Sequence, residues 1–252
     1  MRLILYEKLQ SFGFNYLEYL VMRDLIVRIA IKLGLYKKLV DVDTYFINKK
    51  KIKNFNKFGV KTFIQLDDTC RAAGVRVFPI FGTQLGLFRD NGFIPFDNDI
   101  DAAVFADERP SNFVDIMKKA GFILETSFYF KEDNRVVIEQ YTCNDVHVDI
   151  FNIYELSDTD YYCYVGRRHE TKEWKEANST DGFPCVIWPF AKCDLVEKEY
   201  FGHLFYMPEK TEEWLRGVFG EDFMTPVKNW TVGERKTRII YPKERVYRRS
   251  HA

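Results

Sequence analysis

An α+β domain is the fold class this sequence predicts, and three observations predict it. Apolar residues recur at helical spacing before residue 73. They alternate along several short runs between residues 99 and 153. The last three of those runs follow one another across tight turns, as in an antiparallel meander. The 252 residues suit one such domain with elaborations. With 46% hydrophobic and 17% aromatic residues the core is well supplied, so no long disordered stretch is expected. There is no internal repeat and no low-complexity linker.

Residues 14–35 read as a long helix. Asp24, Arg28 and Lys32 make a narrow polar stripe four residues apart, and Leu17, Leu20, Val21, Ile29 and Ile31 cover most of the rest. So wide an apolar surface needs cover on more than one side. The domain, a dimer partner and a membrane surface all fit, and all three stay open. Residues 60–73 form a second amphipathic helix, with Val60, Phe63, Ile64 and Cys70 inward and Gly74 as its stop. Residues 75–81 read as a strand broken by Gly82-Thr83, and residues 84–89 as one or two helical turns. Asp90-Asn91-Gly92 is a turn. Residues 99–105 are the next strand. Ser111 is expected to cap a helix whose apolar face is Phe113, Ile116, Met117 and Ala120, closed by Gly121. Strands follow at 122–130, 136–141 and 146–153, joined by turns at Asp133-Asn134 and Asn144-Asp145. The aromatic stretch 161–188 reads as an insertion or substrate-facing lobe. Residues 210–219 form a short helix between Pro208 and Gly220.

Charge and cysteine content narrow the function. Lys+Arg and Asp+Glu number 37 each, so the chain lacks the basic excess that tracks a nucleic-acid backbone. A long nucleic acid is therefore not the expected partner, although Lys49-Lys50-Lys51 and the segment from Arg245 to Arg249 are locally basic. Cys70, Cys143, Cys163, Cys185 and Cys193 are odd in number and contain no C-x-x-C pair. They read as reduced thiols, with a zinc site on the last four as the competing view. The opening residues Met1-Arg2-Leu3-Ile4-Leu5-Tyr6-Glu7 do not resemble a secretory leader, and no run of 18 uncharged apolar residues occurs. The expected location is the cytoplasm, with a peripheral membrane contact left open.

The chemistry concentrates in residues 81–101. Gly82-Thr83 sits where a strand ends and a helix begins, where free N–H groups and the helix dipole favour a phosphate. Asp97, Asp99 and Asp101 alternate, so an extended backbone sets them on one face about 6.6 Å apart. Three like charges so placed repel unless a cation joins them; a solvated acidic turn is the competing view. Asp149 lies inside the apolar strand Val146-His147-Val148-Asp149-Ile150, which is costly unless it is paired or metal-bound. It is the natural third ligand or a general base toward an acceptor hydroxyl. His147 shares its face and reads as a hydrogen-bond partner. Oxygen ligands without clustered Cys or His point to Mg²⁺ or Mn²⁺.

These residues resemble a known family. Gly82-Thr-x-Leu-Gly86-x-x-Arg89-x-x-Gly92-Phe-Ile-Pro95-Phe-Asp97-Asn-Asp99-Ile-Asp101 is similar to the LicD/fukutin signature G-T-L-L-G-x-x-R-x-x-G-x-I-P-W-D-D-D-I-D. His147-Val-Asp149-Ile-Phe151 resembles the family's later acidic strand. The stretch from Met207 through Trp214 and Gly220 to Pro226-Val-Lys-Asn-Trp230 resembles its closing motif, in a fukutin-like form. Two positions depart: Phe96 stands for the usual Trp, and Asn98 for the middle Asp, on the face away from the metal carboxylates.

The resemblance covers residues 60–232 and implies a nucleotidyltransferase fold, a mixed β-sheet flanked by helices. It implies an N-terminal helical extension over 1–55, the domain over 56–235 and a basic tail over 236–252. It further implies a metal-dependent phosphotransferase that moves a phospho-alcohol from a CDP-linked donor, such as CDP-choline, CDP-ribitol or CDP-glycerol, to a glycan or lipid-linked glycan. Asp99, Asp101 and Asp149 would hold the metal, with Asp97 as an outer ligand or acceptor-side base. Gly82, Thr83 and Arg89 would contact donor phosphate, unless Arg89 pairs with Asp97. Transfer of a nucleoside monophosphate and a non-catalytic binding role on the same fold are the alternatives.

Overall fold

A computed structural model describes residues 25, 28–29, 32–34, 36–166, 182–227 and 244–251. The chain divides into two compact units, Met1–Asn54 and Phe55–Ala252. The helix expected at 14–35 lies almost wholly outside the described residues, as do most of the lobe between 166 and 182 and the end of the closing motif at Trp230. No described helix is long and apolar enough to cross a membrane.

Helix α1 runs Tyr36–Ala72, beginning 24 residues before the expected 60. The stretch 36–59 contains no proline, so nothing stops the helix, but its many lysines and asparagines hide the apolar period. From residue 55 the buried stripe is Phe55, Gly59, Phe63, Leu66 and Cys70, at helical spacing. Val60, expected inward, faces solvent. Gly74 stops the turn with a φ of 72°.

Strand β1 (Val77–Pro79), helix α2 (Phe81–Asp90), strand β2 (Asp99–Phe105) and helix α3 (Phe113–Lys119) follow. Ser111 does not cap α3. Asn112 takes that position without a side-chain bond, because the Phe113 N–H is already satisfied by the Pro110 carbonyl at 3.0 Å. Then come β3 (Ile123–Tyr129), β4 (Val136–Cys143), β5 (Val146–Glu155), β6 (Asp160–Gly166) and β7 (Phe183–Ala191). The chain closes with β8 (Leu195–Tyr200), β9 (His203–Pro208), α4 (Thr211–Phe219) and β10 (Arg245–Ser250). Asn144 and Asp145 both adopt positive φ, 52° and 60°, as the two-residue β4–β5 hairpin requires.

The main sheet has the order β1-β2-β5-β4-β3-β10-β7-β6, and β6 also returns to pair with β5. Six of its strands therefore close on themselves, with β2 and β1 continuing outward from β5. The β2–β5 pair is parallel and the other described pairs are antiparallel. The result is the expected α+β fold with a mixed sheet flanked by helices.

Alternation along β2 and β5 sorts two cores. Ile100, Ala102, Val104, Val148 and Ile150 face a layer built with Phe63, Leu66, Phe113 and Met117. Ala103, Phe105, Phe151 and Ile153 face the inside of the curled sheet, filled by Phe128, Ile138, Trp188, Phe190 and Trp214. No disulfide joins the cysteines among the described residues, and Cys143 lies in the first core while Cys163 and Cys185 lie in the second. The sheet thus parts the members of the competing zinc set.

Residues 245–250, expected within a basic tail, are instead a strand between β3 and β7. Arg245, Arg248 and Arg249 dominate the composition, but Val246 and Tyr247 alternate with them, and Val246 is 1% exposed in the inner core. Val246→Ala should therefore destabilise the protein by about 2 kcal/mol in a urea titration, as a buried methyl loss does. A tail residue would change the midpoint by nothing measurable.

Candidate active site

The site forms where β1 hands over to α2. Ile80 is extended, with φ −133° and ψ 167°, and Phe81 then adopts φ 51°. A left-handed conformation is strained for a residue with a bulky side chain. Packing holds it there: the Phe81 ring meets Phe151, Trp188 and Phe190 edge-on or tilted at 4.8 to 6.4 Å. The turn points the Gly82 N–H at the Asp101 carboxylate, 3.3 Å from Oδ2. The anion expected at this helix start is thus already partly supplied by the protein itself. A side chain at Gly82 would lie 3.2 Å from Asp97 Oδ2 and 3.4 Å from Asp101 Oδ2, so the two carboxylates converge over the bare Cα.

Thr83 is buried, and its Oγ1 accepts the backbone N–H of Asp101 at 2.9 Å. It ties α2 to β2 instead of presenting an open hydroxyl. Arg89 lies at the far end of α2, about 10 Å along the helix from Gly82. Its guanidinium is bidentate on Asp90, at 2.9 and 2.8 Å, and does not pair with Asp97. The structure therefore brings Gly82 and Thr83 to the carboxylates and leaves Arg89 apart.

Gly86 has a packing role. An added Cβ would come within 2.7 Å of the Gly92 carbonyl and 2.9 Å of the Ile94 nitrogen. Its absence lets the loop after α2 lie on the helix. That loop turns through Pro95, with the Asp97 N–H on the Ile94 carbonyl at 2.9 Å.

β2 and β5 supply the remaining carboxylates. Their register sets Asp101 beside Asp149 and Asp99 beside His147. His147 Nε2 lies 3.1 Å from Asp149 Oδ1, and Gln140 Nε2 donates to both Asp149 oxygens, at 3.1 and 3.3 Å. Gln140 is a site residue that sequence reasoning missed. Its place opposite Asp149 depends on β4 register, which no local pattern announces.

Electrostatics make the group function as a unit. Burial, then repulsion from Asp99, pushes the Asp97 carboxyl up to about 7, and Asp97 also shares a hydrogen bond with Asp99. Burial, then repulsion from Asp99, Asp149 and Asp97, holds Asp101 well above the ordinary carboxylate range. A cluster of partly buried carboxylates that raises its own proton affinity fits a divalent cation, and its oxygen-only donors suit a hard one.

A second acidic cluster also emerges from the fold. Asp67, Asp68 and His203 offer ligand atoms all within 4.8 Å of one another, though 136 residues separate Asp67 from His203. A protein cation already serves it. Arg71 Nε donates to Asp67 Oδ2 at 2.5 Å, and the same guanidinium reaches Glu197 and the Leu204 carbonyl. We read it as the clamp that fastens α1 to the β8–β9 hairpin.

Two predictions follow from the geometry. Asp97 holds its proton more tightly folded, at about 7, than its ordinary 3.8. The stability it contributes is therefore full below about pH 4 and lost as pH rises through 7. Melting of the metal-free protein should shift downward between pH 5 and pH 8. Mn²⁺ should recover the part of the loss that comes from repulsion at pH 8 and do little at pH 5, because metal competes with the proton. Gly86→Ala should displace the loop that carries Asp97, lower the melting temperature and weaken Mn²⁺ binding measured by electron paramagnetic resonance, by roughly tenfold for a ~1.4 kcal/mol loss.

Comparison with known proteins finds a family that part of the chain is similar to. Residues 74–196 match the model described as LicD/FKTN/FKRP, nucleotidyltransferase domain. The chain is 27% identical over 183 residues to "Ribitol-5-phosphate transferase FKTN" of Homo sapiens, covering 72% of this chain and 35% of that protein. The Mus musculus protein of the same name is 26% identical over 182 residues, with the same coverage. "Uncharacterized protein W02B3.4" of Caenorhabditis elegans is 27% identical over 170 residues, covering 62% of this chain and 40% of that protein. The chain spans about a third of the length of the transferases it matches. Residues 81–101, with the Gly82 turn and three of the four carboxylates, and the strand that carries Asp149 lie inside the segment, residues 74–196, that is similar to the nucleotidyltransferase domain of the LicD/FKTN/FKRP family.

Proposed function

We propose that the chain is a metal-dependent phosphotransferase that moves a phospho-alcohol from a CDP-linked donor to a hydroxyl of a glycan or lipid-linked glycan. The convergence of Asp97, Asp99, Asp101 and Asp149 on the start of α2 carries the reading. Phosphoribitol is the group favoured by the names of the similar transferases.

Asp99, Asp101 and Asp149 would hold Mg²⁺ or Mn²⁺, which when bound neutralises the phosphate oxygens and the departing nucleotide. Gln140 and His147 fix the orientation of Asp149. Gly82, having no side chain, lets the Asp97 and Asp101 oxygens close over its Cα. The acceptor oxygen bonds to the phosphorus that bears the alcohol, the bond from that phosphorus to CMP breaks, and CMP leaves with the electron pair. Asp97 takes the hydroxyl proton. Burial is the largest cause of its high proton affinity, and cations on the other three carboxylates do not remove burial.

The test is CMP release from CDP-ribitol, CDP-glycerol and CDP-choline with Mg²⁺ or Mn²⁺, in native protein, Asp101→Ala and Asp97→Asn. We expect metal-dependent release from one donor, abolished in Asp101→Ala and reduced at least about 100-fold in Asp97→Asn. An acceptor found carrying a nucleoside monophosphate would establish nucleotidyl transfer in its place. Metal-independent release, equal in Asp101→Ala, would sink the reading.

A further inference from the structure

The strand that closes the main sheet brings a cation to the carboxylate face. Val246, Arg248 and Ser250 alternate along β10, and Val246 lies in the inner core, so all three share the inner face. Pairing then runs as one row across five strands. Asp101 sits beside Asp149, Asp149 beside Gln140, Gln140 beside Thr126, and Thr126 beside Ser250. Arg248 stands opposite Phe128, one position along that face, and its Nη2 donates to Thr126 Oγ1 at 3.4 Å. Its side chain therefore leans over β3 toward Gln140. Two strand spacings, about 10 Å, separate Thr126 from the Asp149 position.

Arg248 contrasts with six other arginines of this unit, while Arg249, also exposed, lies over the Tyr129 ring. Arg71, Arg76, Arg89, Arg109, Arg135 and Arg216 each sit on a carboxylate. Arg248 is exposed, and among the described residues its recorded partner is the Thr126 hydroxyl alone. An exposed guanidinium fork, facing the site and bound to one neutral oxygen, keeps donors for a planar or tetrahedral oxyanion. The carboxylates repel phosphate except where a cation joins them, so a substrate with a further phosphate needs a second positive locus.

We propose that Arg248 is a substrate-binding residue of this site, holding a phosphate other than the one transferred at the carboxylates. The proposal rests on the transfer reading for its place in the reaction. Two sources share the chemistry: the nucleotide donor, and a phosphate already present on the acceptor.

The experiment is phosphorus NMR titration of the full chain as native protein, Arg248→Met and Arg248→Lys. Inorganic phosphate is the probe without metal, and CDP is the probe with Mg²⁺. Native protein should bind inorganic phosphate, with a loss of about tenfold in Arg248→Met and a smaller loss in Arg248→Lys, which keeps the charge. A parallel tenfold loss for CDP assigns the donor phosphate; CDP affinity unchanged in Arg248→Met assigns the acceptor. Native protein and Arg248→Met binding phosphate alike, or native protein binding none, would overturn the proposal. Arg248→Lys as weak as Arg248→Met with a lowered melting temperature would also overturn it, since that outcome makes the residue structural. Failure of every donor to release CMP bears on the transfer reading and leaves this titration standing.

Discussion

The parallel pairing of β2 with β5 is the constraint on which the rest of the site depends. It sets Asp101 directly beside Asp149 and Asp99 beside His147. Like charges opposite one another on neighbouring strands are unfavourable. The register is held from the other face, where Ile100, Ala102 and Val104 interleave with Val148 and Ile150 in a fully buried layer. A slip of one residue would turn that whole apolar set outward. The carboxylates therefore stand together because the hydrophobic layer behind them fixes the strands. A parallel pair also needs a long crossover. Here it contains α3 and the β3–β4 hairpin, and the hairpin carries Gln140 to the other side of Asp149.

The motif residues before the carboxylates work mainly through backbone geometry. Phe81 accepts a strained conformation because aromatic rings enclose its side chain. Gly82 turns its N–H to Asp101, and Thr83 binds the Asp101 backbone. Gly86 admits the loop that delivers Asp97. Each contact fixes a carboxylate in place before any ligand arrives. Preorganisation of this kind has a cost in the free protein, visible as raised proton affinity at Asp97 and Asp101. A cation relieves the part of that cost due to repulsion and leaves the part due to burial.

Closure of the sheet links the site to a segment distant in sequence. Six strands return on themselves through the β5–β6 and β3–β10–β7 pairings, around a core rich in Phe, Tyr and Trp. Asp149, Gln140 and Arg248 occupy positions on the inner face of that closed sheet, where its apolar filling gives way to polar side chains, and Asp99 and Asp101 continue that face onto β2. Stability and function meet at β10, where Val246 fills the core and Arg248, two residues on, faces the site.

By itself the sequence determined the local part. Period-2 alternation announced β2 and β5 within two residues of their observed ends, and Asn144-Asp145 announced the hairpin between β4 and β5. The strand-to-helix break at Gly82 and the spacing of Asp97, Asp99 and Asp101 identified the candidate site. All of these are short-range, set by backbone dihedrals and side-chain direction within a few residues. The part of helix α1 before residue 60 escaped because its polar surface hides the period, and Arg89 was misplaced because a neighbouring Asp90 gives its guanidinium a closer partner. Strand β10 read as a tail because its charged residues outnumber its buried ones. Only the tertiary structure decided that Asp149 stands beside Asp101, that Gln140 holds it, that Arg71 serves Asp67, and that Arg248 shares the carboxylate face. Those neighbours are chosen by strand order and register, which arise from burial summed over the whole core, and no window of sequence contains that sum.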